Sequence, residues 1–445
     1  MRLKIKMVLA LLAMGATLSC TSSRLDERPN IILISIDALR ADHLSTYGYA
    51  YPTSPHIDEF AGKSTVFEFA YCLIPKTSAS FASLLTGLHP FVHLTQPNQD
   101  SLNEKFITLA EALKLRDYAT AAVIDNSNLS PKYKFNQGFD RTVAVWDDRE
   151  KREESTPYIT EKVLEFLAAP PKEPFFLWAH YIEPHFPYVP PSQFIEDRPE
   201  GRVLAEIPRA IVVANKSQLE GRPREGHFIA LYDATVKYVD SEFGRIMSLI
   251  SEKGLDKNSI IILTADHGEE LGEHNFFFDH GPLTFNSSMR VPLIVYLPGK
   301  NGRRLRYPVS LMDIYPTILN EAGLVPPYPI QGANLFSEKG RGDLFLVGPG
   351  GSRAVVSGKY HLVKVIPQMV ERLGLEDYYL FDLEKDPFEK ENLARKRDQT
   401  TRMLLRKISD FFEGAVYFKP ADSKESKVEL SERELERLRT LGYIR

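Results

Sequence analysis

Asn30–Asp37 reads NIILISID, a short apolar run rich in β-branched residues and closed by an acid. It lacks polar/apolar alternation, which predicts a strand covered on both faces and central in a parallel sheet. Outward from it the same kind of run recurs at Ala119–Ile124 (ATAAVI), Phe175–His180 (FFLWAH), Ser259–Ala265 (SIIILTA) and Val291–Tyr296 (VPLIVY). Between these lie stretches with helical spacing at Leu102–Arg116, Ile159–Ala168 and His227–Ser251. Alternation of this kind predicts an α/β fold: a doubly wound, mostly parallel sheet flanked by helices. Ligands in such sheets bind beyond the carboxyl ends of the strands. Asp37, His180 and Asp266 all fall at that end.

The pattern changes near Gly340. Ala354–Val365 (AVVSGKYHLVKV) reads as a hairpin with a Ser-Gly turn, and Tyr378–Leu383 as a further strand. Residues 29–340 are therefore expected to form the main domain. Residues 341–445 are expected to form a small C-terminal antiparallel α+β subdomain, with a charged helical tail from Ser423. Pro187–Arg224 is rich in Pro, Arg and Glu and is expected to be a long surface excursion, as a lid or substrate wall.

The chain has 445 residues and a formal charge of −4. A nucleic-acid surface needs a basic excess, so no nucleic-acid partner is expected. Residues 1–20 read as an export signal: Arg2, Lys4 and Lys6 precede an apolar run from Met7 to Ala16, too short to span a bilayer comfortably. Cys20 follows and resembles the lipidation site of a bacterial lipoprotein. The expected location is the periplasm or cell envelope, with membrane contact through the lipid anchor only. That leaves Cys72, which has no second thiol for an internal disulfide and sits in an apolar context, so a buried structural thiol is expected.

Four segments carry candidate chemistry. Thr264–His274 (TADHGEELGEH) places an Asp-His pair at the tip of a strand, one oxygen and one nitrogen donor for the same metal. Pro75–Gly87 (PKTSASFASLLTG) is hydroxyl-rich and then apolar with helical spacing, so a hydroxyl lies at a helix N-terminus where an anionic ester docks. Trp178–Tyr188 (WAHYIEPHFPY) supplies His180 and His185 after a strand, and FFFDHG supplies His280. Histidines of this kind donate to an anion's oxygens or protonate a leaving group. Taken singly, each segment also has an ordinary structural reading, as a helix cap or a buried histidine.

Taken together, they resemble the sulfatase branch of the alkaline phosphatase superfamily. Six segments match in order across almost the whole chain: ISIDALRADHLSTYGY from Ile34, TSASFASLLTGLHP from Thr77, ADHGEELGEH from Ala265, DHGPLTFNSSMRVPLIV from Asp279, LMDIYPTILNEAGL from Leu311 and LFDLEKDPFEKENLA from Leu380. The resemblance implies an alkaline phosphatase-like fold. It also implies one divalent metal cation (Ca, Mn or Zn) held by Asp37, Thr77, Asp266 and His267, with Thr77 as nucleophile. It gives His185 and His280 catalytic and substrate-binding roles and leaves Asn126, or Asn128, to contact the substrate. The implied substrate is a small-molecule or glycan sulfate or phosphate ester.

The departures are chemical. The family's usual nucleophile is a formylglycine made from Cys or Ser in a Cys/Ser-x-Pro-x-Arg pattern. Here those positions are Thr77, Ala79 and Phe81, and threonine's β-methyl bars the formylglycine. Asp37 is followed by Ala38, so one carboxylate is missing, and His267 stands where many sulfatases have Asn. A less oxygen-rich site favours Mn²⁺ or Zn²⁺ over Ca²⁺. Sulfate ester hydrolysis with a Thr nucleophile is the leading expectation. The alternatives are a phosphodiesterase or phosphoethanolamine-type transferase acting on envelope lipid or glycan, and an inactive glycan-binding lipoprotein.

Overall fold

The computed structural model describes residues 28–95, 100–145, 155–195, 225–276, 280–337 and 342–414. The leader with Cys20, the excursion beyond residue 195 and the charged tail lie outside the described residues.

The central element is the strand Asn30–Ile36, buried at every position. Its neighbours are Phe175–Tyr181 on one side and Ser259–Ala265 on the other, both parallel to it and both wholly buried. Ala119–Ile124 and Arg141–Ala144 extend the parallel array past Phe175–Tyr181. On the other flank Leu293–Tyr296 pairs antiparallel with Ser259–Ala265, followed by Thr65–Phe67 and Arg303–Leu305. The result is an eight-stranded, mostly parallel sheet. Continuous apolar runs rather than alternating ones are what a sheet covered on both faces demands.

Two expected elements differ. The helix expected over 102–116 is confined to Leu109–Lys114. Thr108 ends the preceding extended chain as a capping box: its hydroxyl accepts from the Glu111 N–H at 3.2 Å, and Glu111 accepts from the Thr108 N–H at 2.8 Å. Leu102 and Phe106 are buried but belong to the loop before that cap. The strand expected over 291–296 is divided. Arg290–Val291 pairs with Ala70–Tyr71 in a separate three-stranded sheet, and only Leu293–Tyr296 joins the main one. Pro292 between them has no N–H to give a ladder.

The C-terminal part holds a four-stranded antiparallel sheet, Asp343–Val347, Arg353–Ser357, Tyr360–Lys364 and Tyr378–Asp382, in sequential order. Gly358, with φ of 56°, makes the expected turn. One face, through Leu344, Leu346, Ala354, Val356, Val363 and Phe381, merges with the main core. The other, through Val347, Val355, Leu362 and Leu380, packs on Leu404, Ile408 and Phe412 of the helix Asp398–Gly414. The period-two alternation thus glues this sheet to the main body on one side and to an amphipathic helix on the other.

Candidate active site

Asp37, Asn126, His185 and Asp266 each follow the carboxyl end of a parallel strand, and Thr77 opens the helix Thr77–Thr86. That helix is buried at all its positions, and the Ser80 hydroxyl ties it to the site by donating to the Asp266 carbonyl at 2.6 Å. Asp37, Thr77, Asp266 and His267 are fully buried.

His267 organises the first group. Its Nδ1 lies 2.9 Å from the Gly268 carbonyl oxygen, which only accepts, so Nδ1 carries the proton. Nε2 of the neutral ring therefore presents a lone pair. It points at the Thr77 hydroxyl (3.3 Å), Asp266 Oδ2 (3.3 Å) and Asp37 Oδ1 (3.6 Å). Burial pushes the His267 pKa down to about 4 against the opposing pull of Asp37, which keeps the ring neutral. A lone pair and two carboxylate oxygens facing one another in a dry interior repel unless a cation lies among them. Asp37, Asp266 and His267 offer donor atoms within 4.8 Å of one another, so the residues fit a divalent metal. Among the described residues buried Asp266 Oδ2 has no hydrogen-bond partner, as expected of a ligand atom.

The two carboxylates are driven apart in proton affinity. Burial raises the pKa of Asp37, but His180, His185 and His267 outweigh it and hold it down at about 2. Burial together with the Asp37 charge pushes Asp266 well above the usual carboxylate range. Two acids sharing a buried site behave this way without a cation.

Asn126 donates to Asp37 Oδ2 at 2.6 Å, and its carbonyl accepts from the Asn128 N–H at 2.9 Å. The side chain expected to contact the substrate thus orients Asp37. The Asn128 side-chain amide is buried and has no hydrogen-bond partner among the described residues. His180 sits behind Asp37, with Nε2 3.5 Å from Oδ2 and Nδ1 3.0 Å from the Ser35 hydroxyl. Phe81, at the position of the family's arginine, packs on Trp178 and His180 with ring centroids 4.9 Å away in each case.

His185 and His280 meet, with their Nε2 atoms 3.2 Å apart, and the His280 ring lies 3.9 Å from that of His267 by centroids. Burial lowers both histidines' pKa values, His280 especially, with His267 adding to the effect. Two participants escaped the sequence reading. Glu269 is fully buried and accepts from the Tyr188 hydroxyl at 2.6 Å. Lys76, immediately before Thr77, is close enough to depress His185, His267 and His280 electrostatically. Glu269 reads in sequence as part of the polar stretch GEELGE, and only its contacts distinguish it. Lys76 had a local signal, a cation beside a hydroxyl at a helix start. Cys72 is a buried free thiol whose pKa burial pushes up, so it has the expected structural character.

The fold and this arrangement define an alkaline phosphatase-like hydrolase. The sulfatase family model matches residues 29–324, and the chain belongs to the sulfatase family of sulfuric ester hydrolases. An arylsulfatase of Clostridium perfringens is 27% identical, over 86% of this chain and 93% of that one. A Delta 4,5-hexuronate-2-O-sulfatase of Bacteroides thetaiotaomicron is 23% identical, over 86% and 88% respectively. The crystal structure of phosphonate monoester hydrolase of Agrobacterium radiobacter superposes with a TM-score of 0.68 at 20% identity, covering 91% of this chain and 99% of the other.

Proposed function

We propose that the chain hydrolyses sulfate esters of saccharides with Thr77 as nucleophile and a divalent cation held by Asp37, Thr77, Asp266 and His267. The observation that carries this reading is the Thr77 hydroxyl, buried at the start of its helix and 3.3 Å from His267 Nε2, among the same residues that fit a metal. Bound there, the cation supplies Lewis-acid charge that lowers a hydroxyl's pKa and stabilises an anionic transition state. Thr77 Oγ1 attacks sulfur in line, the S–O bond to the sugar breaks, and the proton lost by Thr77 is balanced by the one gained by the departing alcohol. Water then cleaves the threonine sulfate, releasing sulfate and restoring the hydroxyl. Lys76, His185 and His280 form the positive and hydrogen-bonding wall against which the ester anion rests. A saccharide is favoured because the hexuronate sulfatase aligns along most of both chains.

Thr77→Ala should abolish turnover of aryl and saccharide sulfates by about 10³-fold or more while Thr77→Ser retains part of it. Phosphate monoesters and diesters assayed in parallel should be poorer substrates. Full activity in Thr77→Ala, or a clear preference for phosphodiesters, overturns the reading. The same proposal keeps the chain in the cell envelope, anchored at Cys20, as its basic-then-apolar start supports. Cys20→Ser should release it from membrane fractions.

A further inference from the structure

A cavity of about 740 Å³ opens at the same end of the sheet as the candidate active site. It is lined by Arg40, Asp42 and His43, which follow the strand Asn30–Ile36, and by Glu273, which follows Ser259–Ala265. Tyr49 joins them, with Glu384 and Phe388 from the C-terminal part. One layer of residues separates it from the catalytic group. The Arg40 guanidinium donates to the Glu269 carbonyl at 3.0 Å, and the Glu269 carboxylate lies within 4.8 Å of donor atoms on His185 and His280. The charges that line the cavity are largely matched. Arg40 pairs with Asp42 at 2.8 Å and with Glu273 at 2.7 Å, and Arg306 pairs with Glu68 at 3.1 Å. Paired in this way, the arginines and carboxylates still have N–H groups and lone pairs to spare.

His43 adds an oriented acceptor. Its Nδ1 lies 2.7 Å from Asp233 Oδ1, which accepts, so the neutral ring carries its proton there. The Tyr49 hydroxyl donates to the other Asp233 oxygen at 2.7 Å and fixes that carboxylate. The Tyr49 and Tyr232 rings hold the imidazole, with centroids 4.5 Å and 5.0 Å away. With Nδ1 spent on Asp233, Nε2 is the atom that buried His43 offers a ligand. Aromatic surface leads outward from it: Tyr51, 5.6 Å from Tyr49, is 48% exposed, and Phe388 is 56% exposed. Apolar rings around a few placed polar groups are the usual make-up of a small-molecule site.

We infer that this cavity binds an uncharged sugar residue of a glycan, beyond the sulfated residue held at the catalytic group. A sugar hydroxyl donates and accepts at one oxygen. That suits walls where arginine N–H groups stand beside carboxylates and the His43 lone pair. The C–H face of a sugar ring is apolar and suits Tyr49 and Phe388. A bare anion would compete with the carboxylates already on Arg40 and Arg306. The inference rests on the proposed function for the place of the sulfated end; binding in the cavity does not depend on it.

The test is glycan binding against glycan length. The full-length protein, as wild type and as Thr77→Ala, is applied to an array of neutral and sulfated saccharides running from monosaccharide to hexasaccharide. Longer glycans should bind more tightly than the monosaccharide that ends them. Phe388→Ala and His43→Gln should each weaken that binding by about tenfold, with turnover of a simple aryl sulfate left as in the wild type. Phe388 is exposed, so its truncation spares the fold even if His43→Gln does not, and circular dichroism checks both. A blank array, no gain with length, or a gain that the folded variants keep overturns the sugar site. If aryl sulfates are not hydrolysed but length-dependent binding persists and falls in the variants, the proposed reaction fails and the sugar site stands. Aryl sulfate turnover beside a blank array sinks the sugar site alone.

Discussion

The Ser287 carbonyl oxygen fills the space in which a β-carbon on residue 268 would lie, 2.0 Å from that position. The Gly268 N–H also donates to the Ser288 carbonyl at 2.8 Å, so the two loops are laced together. Ser287 and Ser288 extend the lacing by donating to Glu270, each at 2.7 Å. Gly268 is required here by close approach rather than by a positive φ. Its carbonyl in turn fixes the His267 tautomer. Gly268→Ala should therefore cost about 1–3 kcal/mol in unfolding free energy. It should also weaken metal binding about 10–100-fold through the displaced His267. Urea denaturation and a competitive metal titration measure the two effects, and an unchanged metal affinity refutes the link.

Asn126→Ala removes the 2.6 Å donor from Asp37 Oδ2. A ligating carboxylate that loses its orienting hydrogen bond typically loses 10–100-fold in metal affinity. If Asn126 instead contacted only substrate, metal affinity would stay put and only KM would rise. Isothermal titration with Mn²⁺ or Zn²⁺ separates the outcomes.

His93 lies away from the proposed metal ligands and makes stability depend on pH. Its Nδ1 accepts from the Thr95 N–H at 3.0 Å, so the neutral ring carries its proton on Nε2 and gives it to Ser83 Oγ at 2.9 Å. Burial, with His89 adding to it, drives the pKa from 6.5 to about 3. The unfolded chain therefore binds a proton below pH 6.5 that the folded chain refuses. The contribution is complete above about pH 6.5 and is lost progressively as pH falls toward 3, by a few kcal/mol over the window. His93→Gln should be less stable at pH 7.5 and show a flatter decline on acidification. Denaturation curves at several pH values check this, and parallel declines for both proteins refute it.

Much of the fold was legible because the strands around Asn30–Ile36 are buried on both faces, which leaves unbroken apolar runs. Asp37 and Asp266 were legible for the same reason, since an acid ending such a run has no solvent-facing excuse. The helix before Arg116 was over-extended because apolar spacing continues through Leu102 and Phe106, while Thr108 decides the start by capping. Glu269 was hidden because a buried carboxylate and a solvated one share the same letter. What distinguishes it is Tyr188, far along the chain, meeting it at 2.6 Å. Asn126 was found, but its partner was not, because the sequence does not show that two strand ends bring it to Asp37.

Phe81 gives the last prediction. It stands where the family pattern has arginine, and the structure fills that space with an aromatic cluster of Phe81, Trp178 and His180. His180 in turn reaches Asp37. Phe81→Ala should cost about 3–5 kcal/mol, the usual price of a large buried aromatic. Beyond stability, it should loosen the ring that backs Asp37, so kcat is expected to fall at temperatures where the variant is still folded. Phe81→Arg should not restore a formylglycine-type site, because it inserts a charge into a buried aromatic cluster and leaves Thr77 unmodifiable. It should express poorly or unfold at lower denaturant than Phe81→Ala. A folded, fully active Phe81→Arg protein would mean that this wall of the site is more open to water than its burial indicates.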